Sequence, residues 1–402
     1  MKQGIAQRHA LGYGLGRGLG TLRLAALTVA LVSTLSLTGC SGFFTAITSG
    51  STTPGSATNV YVTGTGSTLT EFSLTSGVLA QLSGSPATLT VPPTAVAIAP
   101  NNASIYVGTS TGIFLYTIGS GGVLTEGNNN NVLYLPALAV QSMVVDATSS
   151  WLIISYLNSN EIDALPISPT TGINTAAAPF TVNTPANTVP LRMAVSPANT
   201  NIFAALGTAG AYAIGFNPAA TGNTSPFGSA IAIPLHGADA SDTAVAVDTT
   251  STYLFITEAS TLASSPPAGI VRMKAIAKLT TVADLSDAKT GVGPTAVLAD
   301  LSGAYVYVAN GTDGTISGFD LSSTNQTLTA MTPTATFPSA ASPIALVEDA
   351  TKSYIMALGN GASPNLWVYS FDATNLGALD IGSTTGAGVS TTSNANGIAV
   401  TR

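Results

Sequence analysis

Short apolar segments recur along most of the chain, and one kind is rich in aromatic and β-branched residues. Consecutive copies start 45, 47, 50, 52, 52 and 48 residues apart. The seven copies are NVYV at 59, SIYV at 104, WLII at 151, NIFA at 201, YLFI at 253, YVYV at 305 and SYIM at 353. These residue types favour strands, and a period near fifty residues indicates a repeat protein.

A second kind of segment consists of small apolar residues and precedes six of the seven copies. The missing copy stands at the end of the chain. The segments are TAVAIAP at 94, QSMVVD at 141, RMAVSP at 192, TAVAVD at 243, TAVLAD at 295, IALVED at 344 and NGIAVT at 396. Continuous apolar runs are typical of strands buried on both faces, so we predict that these are the innermost strands of a closed array.

Each unit continues through an alternating strand, such as IFLYTI at 113 or LWVYSF at 366, and a weaker, more polar fourth strand. Seven four-stranded units predict an all-β fold, a seven-bladed β-propeller over residues 59–402. The displaced seventh copy predicts that the C-terminal strand pairs into the N-terminal blade. This pairing closes the ring and leaves no exposed inner edge.

The N-terminal residues differ from the repeats and resemble a lipoprotein signal peptide. A basic, Gly-rich stretch precedes an apolar run at 24–37, which is short for a membrane span. The run ends in Leu37-Thr38-Gly39-Cys40, which resembles a lipobox. We expect a signal peptide at 1–39, lipid attachment at Cys40 and a flexible Ser/Thr/Gly-rich tether over 40–58. The alternative is a free thiol in an uncleaved anchor.

Composition and charge exclude several classes of function. Four of the 11 basic residues precede Cys40, which leaves 7 against all 18 acidic residues and a net charge of −11. So acidic a surface repels phosphate backbones, and we expect no nucleic-acid partner. Cys40 is the sole cysteine, and His236 is the sole histidine after it. We therefore predict no disulfide, no metal site and no cofactor.

The repeats resemble the YVTN-type β-propellers in YVTG at 61 and in YVAN at 307. The layout is also similar to the seven-bladed lactonases, whose best-known members hydrolyse 6-phosphogluconolactone. Those lactonases tend to carry Gly-Pro-Arg-His before the innermost strand. The matching positions here are Pro93-Thr94-Ala95, Pro190-Leu191-Arg192, Pro294-Thr295-Ala296 and Pro343-Ile344-Ala345. Among these positions only Arg192 is basic, and none has the His of the family pattern. Lactone hydrolysis needs a general base, and binding of a phosphorylated sugar needs a cation, so the chain departs from the lactonases at the residues that would supply them.

Two long loops, PLHGADASD at 234–242 and EASTLASSPPAG at 258–269, contain the main concentration of polar candidates. They bring His236, Asp239, Asp242 and Glu258 into one region, with Arg192 one blade away. We predict that these residues bind a small ligand, a sugar or a cation. The alternative is that they are solvated loop residues.

Four carboxylates recur directly after innermost strands: Asp146, Asp248, Asp300 and Asp349. Their neighbours are typical of tight turns in which Asp accepts backbone N–H groups, and calcium binding is the alternative. We expect them at the end of the propeller opposite the binding surface.

These observations favour a monomeric, exported propeller that is anchored to the cell envelope, on its periplasmic or outer-membrane face. It would bind a carbohydrate or an envelope protein without catalysis. The alternative is a lactonase-like hydrolase acting on a sugar lactone, and a third possibility is a structural part of an envelope complex. Convergent His, Arg and Glu side chains at the channel mouth would favour the enzyme, whereas small side chains would favour binding or structure.

Overall fold

The computed structural model describes residues 58–127, 134–135, 137–168, 172–174, 177–262, 267–276, 282–381, 388–391 and 394–402. The predicted signal peptide, Cys40 and nearly all of the predicted tether lie outside these residues. So do Asn128–Asn131 and part of the second long loop. Among the described residues, no helix has the length and apolar character needed to cross a membrane.

The described residues form seven antiparallel sheets, which are the seven predicted blades. The first three, from the innermost strand outward, are blade 1 with β31 (Ala395–Val400), β1 (Thr58–Gly64), β2 (Thr68–Thr75), β3 (Val78–Gln81) and the short β4 (Ala87–Thr88); blade 2 with β5 (Pro93–Ile98), β6 (Ser104–Thr109), β7 (Gly112–Ile118) and β8 (Leu124–Glu126); and blade 3 with β9 (Val140–Val145), β10 (Trp151–Tyr156), β11 (Glu161–Ser168), β12 (Gly172–Ile173) and β13 (Phe180–Asn183). A single 3-10 turn, Ser120–Gly122, precedes β8.

The other four blades follow the same order. They are blade 4 with β14 (Arg192–Val195), β15 (Asn201–Ala205), β16 (Ala211–Phe216) and β17 (Phe227–Ile233); blade 5 with β18 (Ala240–Val247), β19 (Tyr253–Ser260), β20 (Ile270–Ala275) and β21 (Ala283–Lys289); blade 6 with β22 (Pro294–Ala299), β23 (Tyr305–Asn310), β24 (Thr315–Ser322), β25 (Thr327–Ala330) and β26 (Thr336–Pro338); and blade 7 with β27 (Pro343–Glu348), β28 (Tyr354–Gly359), β29 (Leu366–Phe371) and β30 (Leu379–Asp380).

The C-terminal strand closes the ring, as the sequence predicts. β31 pairs antiparallel with β1, and Val60 lies opposite Val400 while Val62 lies opposite Ile398. One residue past the end of β31, Thr401 Oγ1 accepts the backbone N–H of Asn59 in β1 at 2.9 Å. The first and last strands of the propeller therefore form one sheet.

The second strand of each blade is buried more completely than the innermost strand. Every residue of β6 and β10 is buried, whereas buried and partly exposed residues alternate along β5. β22 has one buried residue, Pro294. The prediction that the innermost strands are buried on both faces was wrong. Each innermost strand lies beside the innermost strands of both neighbouring blades, but one of its edges is unpaired and faces the central channel, so many of its small side chains stay partly exposed.

The apolar core is divided into seven clusters of buried residues within the described part of the chain, one between each pair of adjacent blades. The cluster between blades 5 and 6, for example, packs Phe255 and Met273 against Val306, Val308 and Phe319. The cluster between blades 7 and 1 includes Val60, Val62 and Ile398, so the closing strand shares in the core.

The carboxylates that follow the innermost strands form turns, as predicted. Asp248 Oδ1 accepts hydrogen bonds from the Thr252 and Tyr253 backbone N–H groups at 2.7 and 2.6 Å, and its Oδ2 accepts one from the Thr250 N–H at 3.0 Å. The same pattern occurs at Asp146, Asp300 and Asp349. All four lie at the ends of innermost strands, opposite the end where those strands begin.

Candidate functional site

The channel mouth, which we define as the end where the innermost strands begin, contains a belt of hydrogen bonds between blades. Each bond joins a short polar side chain of one blade to a backbone carbonyl at the start of the next. The bonds are Thr94 Oγ1 to Val140 O (2.7 Å), Ser155 Oγ to Pro190 O (2.9 Å), Thr243 Oγ1 to Pro294 O (2.7 Å), Thr295 Oγ1 to Pro343 O (2.6 Å) and Asn396 Nδ2 to Pro93 O (2.5 Å).

The residues of this belt occupy positions at which a catalytic propeller could carry acidic and basic side chains. Thr94 and Thr295 directly follow the proline of the predicted motif positions, and their hydroxyl hydrogens are donated to the neighbouring blade. Between blades 4 and 5, Gly207 and Asp242 instead exchange two backbone hydrogen bonds of 3.1 and 3.0 Å. The mouth is therefore fastened by small side chains and backbone groups.

Arg192 is the basic residue among the predicted motif positions at this mouth. It is the first residue of β14, lies opposite Ala205 and is half-buried. Burial lowers the pKa of the Arg192 guanidinium from its usual value. Among the described residues, no ion pair joins it to a carboxylate or to the other predicted site residues.

Asp242 and Glu258 lie opposite each other on β18 and β19, as the two-loop prediction requires. Both are buried, and Arg272 of β20 lies beside them. Arg272 Nη1 is 3.3 Å from Asp242 Oδ1 and 3.1 Å from Glu258 Oε2, and Nη2 donates to the Pro234 carbonyl at 2.6 Å. The three charged groups thus form a compact internal cluster.

Electrostatics in this cluster are dominated by burial. Desolvation raises the pKa of Asp242 to about 7, although the Arg272 charge opposes the shift and the Glu258 charge adds to it. Glu258 Oε2 also accepts the His236 backbone N–H at 2.8 Å, so the cluster holds the 234–239 loop in place. Removal of one member would leave another charge buried and unpaired, which typically costs about 3–5 kcal/mol, so we expect the loss of any single member to destabilise the fold.

The remaining predicted residues lie outside the cluster. His236 is exposed, and its Nε2 is 3.4 Å from Asp287 Oδ2. Asp239 is also exposed, and its carbonyl accepts the Thr261 N–H at 3.0 Å. The structure therefore brings Asp242 and Glu258 together, places His236 and Asp239 on the loop above them, and leaves Arg192 on the preceding blade.

Sequence reasoning missed Arg272 and Lys274, which are both buried. Lys274 Nζ forms an ion pair with Asp284 Oδ1. The available signal was the segment IVRMKAI, where two basic residues lie two positions apart in a chain with few charges. This spacing places both on one face of a strand, and a basic pair on an apolar blade face requires carboxylate partners.

A polar cleft of about 430 Å³ opens between the outer parts of blades 5 and 6, at the same end of the propeller as the channel mouth. Blade 5 and the connection after it contribute Lys289, Thr290 and Gly291. Blade 6 contributes Asp313, Thr315, Ser317, Phe319, Ala330, Ala335 and Thr336. A second cleft of about 480 Å³ is lined by 158–160 and 187–189. In the described part of the chain, no group of three or more His, Cys, Asp or Glu residues is placed to hold a metal ion.

These features define the chain as a seven-bladed β-propeller of the type seen in lactonase-related structures. It is similar to the Pseudomonas aeruginosa periplasmic gluconolactonase PpgL, with 13% identity and a TM-score of 0.67 over 86% of this chain and 99% of that one. A proposed 6-phosphogluconolactonase of Bacteroides uniformis gives the same identity, coverage and TM-score.

A Lactobacillus plantarum protein is similar at 14% identity and a TM-score of 0.66, over 86% of this chain and 100% of that one. No family model matches the chain, and no curated protein matches it by sequence. The likeness at these identities establishes the fold.

Proposed function

We propose that this protein is a lipid-anchored propeller of the bacterial cell envelope that serves as a binding or scaffold module without catalysis. The anchoring part of the proposal rests on the apolar run at 24–37 and on Cys40. The non-catalytic part rests on the channel mouth. Its expected partners are the membrane, through the lipid, and a carbohydrate or an envelope protein.

The observation that carries the non-catalytic part is the belt of hydrogen bonds at the channel mouth. Lactone hydrolysis requires a group that activates water and a group that stabilises the developing oxyanion. Thr94, Thr243 and Thr295 instead donate their hydroxyl hydrogens to the next blade. Arg192 forms no ion pair with a carboxylate of the described residues. The carboxylates of Asp242 and Glu258 are buried and paired with Arg272, which supports binding more than hydrolysis.

The second candidate is a lactonase-like hydrolase acting on a sugar lactone. It is favoured by the similarity to a periplasmic gluconolactonase and to proposed 6-phosphogluconolactonases. In this case Arg192 is the residue of the channel mouth that would contact an anionic group of the substrate.

A hydrolysis assay distinguishes the two candidates. The purified protein is mixed with glucono-1,5-lactone or 6-phosphogluconolactone, and acid release is followed against a buffer blank. We expect acid release to proceed at the rate of the buffer blank with both the natural chain and Arg192→Ala. A protein-dependent rate that Arg192→Ala lowers by about tenfold or more would support the hydrolase and refute the binding proposal.

The anchor is tested separately by fractionation of cells that produce the natural chain or Cys40→Ser. We expect the natural chain in the membrane fraction with an incorporated fatty acid. We expect Cys40→Ser to lack the fatty acid. Equal fatty-acid labelling of both chains would contradict lipid attachment at Cys40.

A further inference from the structure

The face of blade 6 that packs against blade 5 changes character along its length. Val306, Val308 and Phe319 belong to the apolar cluster between the two blades. Toward the loop that joins β23 and β24, the same sheet face continues with Asn310, Thr315 and Ser317. Blade 5 does not close over this polar end, and the 430 Å³ cleft described above lies there.

Asn310 lies behind the wall of this cleft and supports two of the residues that line it. It is fully buried, and its Nδ2 donates to Thr315 Oγ1 at 3.0 Å and to Ser317 Oγ at 2.9 Å, which are both groups of the cleft wall. Its Oδ1 is also buried but accepts no hydrogen bond from any described residue. An unpaired buried acceptor is destabilising unless a ligand or a water supplies the donor.

The hydroxyl groups of the wall retain capacity for a ligand. Ser317 Oγ accepts from Asn310 Nδ2 and, at 3.3 Å, from the Gly291 backbone N–H. Thr315 Oγ1 likewise accepts from Asn310. A hydroxyl has one hydrogen to donate besides the bonds it accepts, so the hydrogens of Thr315 and Ser317 are available to an acceptor in the cleft.

Gly291 permits the close approach of the 290–293 connection to Asn310 and Asp313. A Cβ atom at this position would lie 2.5 Å from Asp313 Oδ2 and 2.8 Å from Asn310 Cγ. Val292, which follows Gly291, donates its backbone N–H to Asp313 Oδ2 at 2.6 Å. The connection at 290–293 is therefore fastened to the loop that carries Asp313, which gives the cleft a preformed wall.

The charges at the rim of the cleft select against strongly charged ligands. Lys289 and Asp313 are both exposed and of opposite sign. The lining offers the hydroxyl groups of Thr315 and Ser317 and the apolar side chains of Phe319 and Ala335. A molecule that both donates and accepts through several hydroxyl groups, and that has apolar C–H faces, complements this lining.

We propose that the cleft between blades 5 and 6 is a binding site for an uncharged sugar of one or two rings. Its volume of about 430 Å³ lies within the range of small-molecule sites. The lining of the cleft includes neither Arg192 nor any side chain of the hydrogen-bond belt, so the inference holds whether or not the channel mouth hydrolyses a lactone.

The test is saturation-transfer NMR and calorimetric titration of the purified full chain with glucose, galactose, N-acetylglucosamine, maltose and cellobiose. Gluconate serves as the charged comparison. We expect at least one uncharged sugar to bind and gluconate to bind at least about tenfold more weakly. Absence of binding for all five uncharged sugars, or preference for gluconate, would overturn the proposal.

Blocking variants locate the binding. Thr336→Trp fills the cleft from its exposed rim, and Thr329→Trp makes the same change at an exposed position of the neighbouring strand outside the cleft. We expect Thr336→Trp to weaken sugar binding by at least about tenfold and Thr329→Trp to leave it unchanged. If Thr336→Trp lowers the melting temperature, Ala330→Trp closes the cleft from another edge. Unchanged sugar binding in a folded blocking variant would refute this location.

Discussion

At the residue scale, polar groups inside the propeller fall into satisfied and unsatisfied sets, and the difference separates structural roles from candidate functions. The four turn carboxylates accept several backbone N–H groups each, and no further partner is needed to account for them. By contrast, Asn310 Oδ1 and Glu348 Oε1 are buried without a donor among the described residues. An unsatisfied buried group is informative because folding alone gives no reason for its cost.

Burial of two carboxyl groups makes the stability of the protein depend on pH. Desolvation raises the pKa of Asp242, and separately that of Glu348, to about 7, whereas the ordinary values are 3.8 and 4.5. The folded protein then binds protons that the unfolded chain has lost. This contribution is fully present below the ordinary pKa values and disappears as the pH rises through the folded-state values, so the free energy of unfolding should fall between about pH 4 and pH 7.

Asp242→Asn tests this directly in urea titrations across the same pH range. Each raised group adds up to about 1.4 kcal/mol per pH unit to the slope. The amide cannot titrate, so we expect a shallower slope for Asp242→Asn. Asp320→Asn, at an exposed position of β24, serves as the matched control and should keep the natural slope. An unchanged slope in Asp242→Asn would show that this group does not titrate in the folded state as described.

At the scale of elements, the second strand of each blade is the main structural unit of the core. It pairs with a strand along both edges and is almost completely buried, whereas the innermost strand has one unpaired edge at the channel. Blade 7 offers a matched comparison, because Ile355 on β28 is fully buried and Ile344 on β27 is partly exposed. We expect Ile355→Ala to lower the free energy of unfolding by about 2–5 kcal/mol and Ile344→Ala by clearly less. Equal losses would contradict this description of the blades.

The strands of a blade could be located from the sequence with different accuracy, and the reasons are physical. The second strands could be located accurately because complete burial restricts them to aromatic and β-branched residues. The innermost strands were also located, but their small apolar residues suit a channel-facing strand as well as a doubly buried one. The outer strands are split in blades 1, 3 and 6, for example into β25 and β26, and their weak polar pattern could not reveal this.

The candidate site was less accessible to sequence reasoning than the fold. Loop lengths alone placed Asp242 near Glu258, since both flank connections at the channel mouth. Their partner Arg272 is 14 residues beyond Glu258, and recognising it requires the register of β19 against β20. The cleft between blades 5 and 6 depends on how two outer strands separate, and no local pattern encodes this spacing.

At the scale of the whole molecule, stability depends on ring closure, because each apolar cluster lies between two blades and an open ring exposes one of them. The closing contacts combine the β1–β31 pairing with a core cluster that includes Val60 and Ile398. Loss of β31 would leave β1 as an inner edge with unpaired backbone groups. Such an edge favours association between chains as well as unfolding.

The central claim is this closure, and the most direct measurement is thermal and urea unfolding of a chain that ends at Ala395. It lacks most of β31, while a second chain that begins at Thr58 keeps every described strand and serves as the control. We predict that the chain ending at Ala395 loses its cooperative transition or becomes insoluble, and that the chain beginning at Thr58 unfolds like the full-length protein. Natural melting and solubility of the chain ending at Ala395 would contradict the closure.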